Sequence, residues 1–132
     1  MKSFNYQTKV ELFETDASGV IFYSQLFHIV HRAFSAFLNH NQISIQDRLL
    51  KQDFMFPVVH AEGDYLAPIY TEDIIDIELK VLKIGESSFV IGYELFKNKN
   101  CVGRAKVVHV AIGPDRTKIA LPKKIKDAFN CF

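Results

Sequence analysis

The sequence predicts an α+β domain in which one antiparallel sheet covers a single long, strongly apolar helix. Three observations carry this. An alternating segment runs straight into a helical one, four further alternating segments follow, and most of these are joined by turns too short for parallel neighbours. A helix so apolar needs cover, and a sheet offers one apolar face, so the two pack together. The 132 residues, 48% of them hydrophobic and with 12 Phe, suffice for one domain, 1–132, with a substantial core.

Phe4 to Phe13 alternates, with Phe4, Tyr6, Thr8, Val10 and Leu12 on one parity, and reads as the first strand. From Tyr23 to about Asn39 the period becomes helical. Leu26, Phe27, Val30, Ala33, Phe34, Phe37 and Leu38 recur at spacings of three and four, against a narrow polar stripe of Ser24, His28, Arg32, Ser35 and Asn39. Ser44 caps a short second helix that runs to Lys51 or Gln52. Strands are then expected over Phe54–Leu66, Thr71–Ile84, Ser88–Lys97 and Cys101–Ile112, with turns at Gly85-Glu86, Asn98–Asn100 and Gly113–Asp115. Leu121-Pro122 opens a short terminal helix whose apolar edge is Ile125, Ala128 and Phe129. The open sheet leaves edges free, and pairing with a second copy is a common way to cover them.

Between the first strand and the long helix lies the stretch that concentrates chemistry. It holds one aspartate, Asp16, and one glycine, Gly19, just ahead of the free amides and partial positive charge of a helix start. A carboxylate there can attack or activate water while an amide polarises an acyl oxygen. The alternative is an ordinary turn or capping aspartate.

Elsewhere the signals are weaker. Net charge is +1, which gives no global pull toward nucleic acid or membrane. Lys97 to Lys126 holds nine Lys/Arg residues against one acid, Asp115: a solvated face, or a site for a phosphate-bearing ligand. Cys101 and Cys131 make no metal spacing, and no zinc, P-loop or dinucleotide fingerprint is present. Neither a signal peptide nor a membrane span is evident, so the cytoplasm is expected. His60, Glu62 and Asp64 share one face of a strand, lining a ligand pocket or a subunit contact, or forming a plain polar face. His28, His31 and His109 read as packing or surface residues.

Thr15-Asp16-Ala17-Ser18-Gly19-Val20-Ile21-Phe22-Tyr23, with this order of elements, resembles the hot-dog-fold acyl-CoA thioesterases of the 4-hydroxybenzoyl-CoA thioesterase type. Their pattern is roughly Asp-Thr-Asp-x-x-Gly-Val-Val-Tyr ahead of the central helix; Glu14 stands here for the first acid. Val58-Val59-His60-Ala61-Glu62-Gly63-Asp64-Tyr65-Leu66-Ala67-Pro68 looks most like the 1,4-dihydroxy-2-naphthoyl-CoA thioesterases of quinone biosynthesis. The resemblance implies a five-stranded antiparallel sheet wrapped around the helix, and hydrolysis of an acyl-CoA, by preference an aromatic one. It implies Asp16 as nucleophile or general base, the Tyr23 backbone amide as the carbonyl's partner, and Gly19 as the residue that shapes the loop. It implies a homodimer or homotetramer with the site between subunits. Coenzyme A is part of substrate and product, and no cofactor or metal is expected. Arg104 and Lys106 are candidates for the coenzyme A phosphates, and His60 for substrate contact. Where many relatives carry histidine or asparagine soon after the tyrosine, this chain has Ser24-Gln25. Short aliphatic acyl-CoA or acyl-carrier-protein thioesters, an acyl-CoA-binding protein without turnover, and a dehydratase built on His60 and Glu62 are the competing readings.

Overall fold

A computed structural model describes residues 3–130. The strands are β1 (Phe4–Lys9), β2 (Val58–Tyr65), β3 (Ile74–Ile84), β4 (Ser88–Lys97) and β5 (Asn100–Val110); the helices are α1 (Gln25–His40), α2 (Ile45–Lys51) and α3 (Lys123–Asn130). All five strands form one sheet in the order β1-β3-β4-β5-β2, antiparallel throughout. Its inner face packs on α1. Ile75, Ile77 and Leu79 of β3, Phe89, Ile91 and Leu95 of β4, and Val107 of β5 are buried with Leu26, Ile29, Val30, Phe34 and Phe37 of the helix. Burying one such side chain contributes about 1.5–3 kcal/mol. His109 joins this core as an aromatic ring, stacked 4.7 Å from Phe34 and 4.9 Å from Phe89. Its Nδ1 lies 2.9 Å from the Phe56 carbonyl, to which it donates, and burial lowers its pKa so that the ring stays neutral.

The expected architecture is present, and the differences lie at element ends. The first strand stops at Lys9 instead of Phe13. A single 3-10 turn, Leu12–Glu14, follows, leaving Leu12 and Phe13 about three-quarters exposed and turning Glu14 fully inside. The cause is the Glu14 carboxylate, which reaches back to the Glu11 N–H at 2.9 Å and breaks the alternation. Helix α1 begins at Gln25, two residues after Tyr23, and Ser24 is its N-cap without a side-chain cap bond. The Phe54–Leu66 segment becomes strand only from Val58: Phe54 and Phe56 are held in the core, and Pro57 has no N–H to give a ladder. β3 starts at Ile74, after a turn in which the Tyr70 N–H bonds the Asp73 carboxylate at 2.8 Å. β5 spans Asn100–Val110 rather than Cys101–Ile112, and Ile112 keeps only isolated bridges to Met55 and Lys118. Cys131 lies outside the described residues.

β2 is an edge strand, and all eight of its residues are exposed. It passes close to the start of α1. A Cβ on Gly63 would lie 2.7 Å from Leu26 Cδ2 and 3.2 Å from the Arg104 carbonyl oxygen, so only glycine lets the strand approach this far. Among the described residues no helix is long and apolar enough to cross a membrane.

Candidate active site

The loop between β1 and α1 is built on a buried carboxylate. Arg32, two turns into α1, grips Glu14 with both ends of its guanidinium: Nη1 lies 2.6 Å from Oε2 and Nη2 3.2 Å from Oε1. Its Nε donates to Thr8 Oγ1 of β1 at 3.1 Å. One side-chain pair thus ties strand, turn and helix together, in the bidentate geometry that suits arginine. The Glu14 carbonyl accepts the Phe22 N–H at 2.9 Å, and Thr15 and Ile21 form a bridge beside it. The two ends of the loop are therefore fixed to each other before any side chain at its tip is considered.

Within the loop the Asp16 N–H donates to the Val20 carbonyl at 2.8 Å, and the Gly19 N–H to the Asp16 carbonyl at 3.0 Å. Gly19 has φ +82°, with open space where a Cβ would stand, so glycine is needed for its backbone angle and not for room. The loop rests on the segment ahead of β3 through Ile21 N–H to the Ile69 carbonyl (2.9 Å) and Thr71 N–H to the Gly19 carbonyl (3.1 Å).

Asp16 itself is exposed. Its Oδ1 accepts the Ser18 N–H at 2.8 Å and the Ser18 hydroxyl at 2.5 Å. Those bonds hold its pKa below the ordinary aspartate value of 3.8. Among the described residues Oδ2 accepts no hydrogen bond, so one oxygen is oriented and the other is available. The Tyr23 backbone N–H, two residues ahead of α1, also has no partner among the described residues. Its ring is exposed and packs on Phe22, with centroids 4.6 Å apart. An ionised carboxylate and an unused amide at a helix start can together attack, or direct water at, an acyl carbon while holding its oxygen.

The other sequence candidates lie elsewhere. His60 is on the outer face of the sheet, away from α1, with Nε2 3.1 Å from Glu62 Oε1. Glu62 registers with Lys106 and Asp64 with Arg104 across β2 and β5. Arg104 and Lys106 line a shallow depression of about 410 Å³ with Lys80 and four carboxylates, Glu62, Asp64, Glu78 and Glu94. Arg104 Nε lies 3.6 Å from Glu94 Oε2. Among the described residues no hydrogen bond or ion pair links this outer group to Asp16, Gly19 or Tyr23. Lys97, part of the basic stretch, is held by Asp73 at 2.8 Å.

Two contributions escaped the sequence reading. Ser18 closes the turn that holds Asp16, and Asp-x-Ser is the sequence signal for it. Arg32 lies on the polar stripe of the helix and turns to Glu14; the pair is 18 residues apart, and no local pattern reveals it.

A sheet wrapped round one helix, with a carboxylate-bearing turn ahead of that helix's first amides, is the arrangement of hot-dog thioesterases. The chain belongs to the thioesterase superfamily, whose family model matches residues 18–103. It is 38% identical over 120 residues to a 1,4-dihydroxy-2-naphthoyl-CoA hydrolase of Prochlorococcus marinus, covering 85% of this chain and 77% of that one. It is 35% identical over 124 residues to a protein of the same name in Nostoc punctiforme, covering 93% and 84%. The crystal structure of a 1,4-dihydroxy-2-naphthoyl-CoA thioesterase from Synechocystis superposes with a TM-score of 0.92 at 29% identity, over 99% of this chain and 98% of that one.

Proposed function

We propose that this protein hydrolyses an aromatic acyl-CoA, 1,4-dihydroxy-2-naphthoyl-CoA, to the free acid and coenzyme A in menaquinone or phylloquinone biosynthesis. The substrate rests on the shared name of relatives 31–39% identical to this chain. The chemistry rests on one observation: an oriented, ionised Asp16 with a free oxygen stands in the same clamped loop as the unused Tyr23 N–H. In this reading the Tyr23 N–H holds the thioester oxygen. Asp16 Oδ2 then acts in one of two ways. It attacks the carbonyl carbon, breaking the C–S bond, releasing the thiolate and leaving an anhydride that water opens. Otherwise it takes a proton from the water that attacks. A thioester is activated enough for either course without a serine triad. Coenzyme A enters with the substrate and leaves as product, and no separate cofactor belongs to this reading. Its location is the cytoplasm.

The reading includes a second copy. β2 is an edge strand exposed on both faces, and near its C-terminal end Gly63 lies against Leu26 and Phe27 at the start of α1. A two-fold axis beside β2 pairs the strand with itself antiparallel, extending the sheet. The N-terminal end of one β2, Val58, then lies beside the partner's Tyr65 and the partner's Tyr23. Two sites result, each shared by two chains. Arg104 and Lys106 have carboxylates as neighbours within one chain, and we assign them no contact with the thioester.

The test is coenzyme A release from a panel of naphthoyl, hydroxybenzoyl and aliphatic CoA esters, with Asp16→Asn run in parallel. Preferential turnover of the dihydroxynaphthoyl ester is expected, falling about 10²–10⁴-fold in Asp16→Asn with the fold retained. Broad aliphatic turnover would replace the substrate, and near-full activity in Asp16→Asn would remove the site.

A further inference from the structure

One cavity is not used by the site described above. A groove of about 600 Å³ runs between α1, α2, the segment 54–58 and the loop 112–116. Its walls include Phe34, Leu38 and Phe56. Among the described residues its charged lining has one sign: Arg48 and Arg116 face it, and no carboxylate lines it. Arg48 is only 6% exposed, and one Nη pairs with Asp53 at 3.0 Å. Its guanidinium lies 5.0 Å from the centroid of the Phe54 ring, and its Nε has no hydrogen bond among the described residues. A guanidinium buried with donors to spare is costly until an acceptor reaches it.

The groove opens beside Val58, the end of β2 that two-fold pairing brings to the partner's Tyr23. We propose that this groove holds the acyl part of the thioester, and that Arg48 selects acyl groups whose ring carries a hydroxyl on the side away from the thioester. The inference rests on the hydrolase reading, since it takes the thioester carbon to sit at one chain's Tyr23 N–H while the ring enters the other chain's groove. A flat ring packs on Phe34 and Phe56, and its far hydroxyl oxygen accepts from the guanidinium. A ring without that hydroxyl leaves the arginine as it found it. Loss of a hydrogen bond to a buried charged group is the kind of difference that discriminates strongly between otherwise identical substrates.

The test compares 1,4-dihydroxy-2-naphthoyl-CoA with 1-hydroxy-2-naphthoyl-CoA, which differ only in the far hydroxyl. Wild type, Arg48→Gln, Arg48→Lys and Ser35→Phe are assayed as full-length protein, with circular dichroism to confirm folding. Ser35 is an exposed groove residue of α1, so phenylalanine there fills the groove without entering the core. Wild type is expected to favour the dihydroxy ester about tenfold or more in kcat/KM. Arg48→Gln is expected to bring that ratio close to one, Arg48→Lys to restore part of it, and Ser35→Phe to raise KM for both esters. A wild-type ratio near one, an unchanged ratio in a folded Arg48→Gln, or an unchanged KM in Ser35→Phe would overturn the proposal while leaving the hydrolase reading in place. If the arginine variants do not fold, the wild-type ratio and Ser35→Phe decide. If wild type hydrolyses neither ester, the naphthoyl-CoA substrate of the hydrolase reading fails. The groove is then judged by calorimetry with the two free naphthoic acids: tighter binding of the dihydroxy acid that Ser35→Phe weakens supports it, and equal or absent binding overturns it.

Discussion

Glu14 and Asp16 are two residues apart and receive opposite treatment. Glu14 is fully buried; both its oxygens are taken, by the guanidinium of Arg32 and the Glu11 N–H. Asp16 is exposed, and only one of its oxygens is engaged, by Ser18. A carboxylate with both oxygens engaged has little left for chemistry, and one that is free of all contacts has no direction. The loop divides these duties, so that the anchor is spent on geometry and the tip keeps one oriented oxygen in reserve.

The sharpest way to break this division is to remove the anchor. Arg32→Met leaves the buried Glu14 carboxylate with only the Glu11 N–H and, at 3.8 Å, His28 Nε2 beside it, and is expected to lower stability by about 2–4 kcal/mol, read by denaturant unfolding. Asp16→Asn should leave that unfolding curve unmoved. If the two substitutions cost equal stability, the contrast between anchor and tip is wrong. A smaller effect is expected at Gly19. Gly19→Ala places a Cβ in open space but at φ +82°, for a cost of about 1–2 kcal/mol, and it should depress kcat through the loop while thermal unfolding shifts only modestly. The smallest effect is at Ser18. Its bonds hold the Asp16 pKa below 3.8, so with Asp16 as the proposed reacting carboxylate kcat/KM is expected to be present above that range and to be lost as pH falls through the folded value. Ser18→Ala raises the Asp16 pKa toward its ordinary value, and the acid limb of the kcat/KM profile should move upward with the neutral plateau retained. An acid limb that stays put would assign it to another group.

What could be read from the chain, and what could not, follows the same line between local and distant. Alternation in β3, β4 and β5, the period of α1, and the short turns were visible because each depends on neighbours within a few residues. The Asp16–Gly19 turn was visible for the same reason. β1 ends four residues before its alternation does: the parity continues through Val10 and Leu12, but Glu14 turns inward to the Glu11 N–H and to Arg32, and the second of these partners is too distant for a local pattern to show. The start of β2 was misjudged in a similar way. Phe54 and Phe56 have strand-like residue types, but their rings belong to an aromatic cluster with Phe34, Phe89 and His109 that forms only once the sheet has closed on the helix. The groove beside Arg48 had no sequence signal at all, since its walls come from four separate segments.

The His60–Glu62 contact on the outer face of β2 bears on which alignment of two edges is permitted. Extending the sheet with both helices on the same side requires inner residues to meet inner residues, so allowed alignments differ by steps of two residues, and a slip of one would turn the second helix to the opposite side. Centred on Ala61, the pairing sets each His60 across from the partner's Glu62, an attractive match. Centred on Glu62, it sets that glutamate against the partner's Glu62, two like charges face to face. In the edge-to-edge dimer proposed for this protein, the same few polar side chains that sit as neighbours at 3.1 Å within one chain would act, between chains, as a key that favours one alignment over the next.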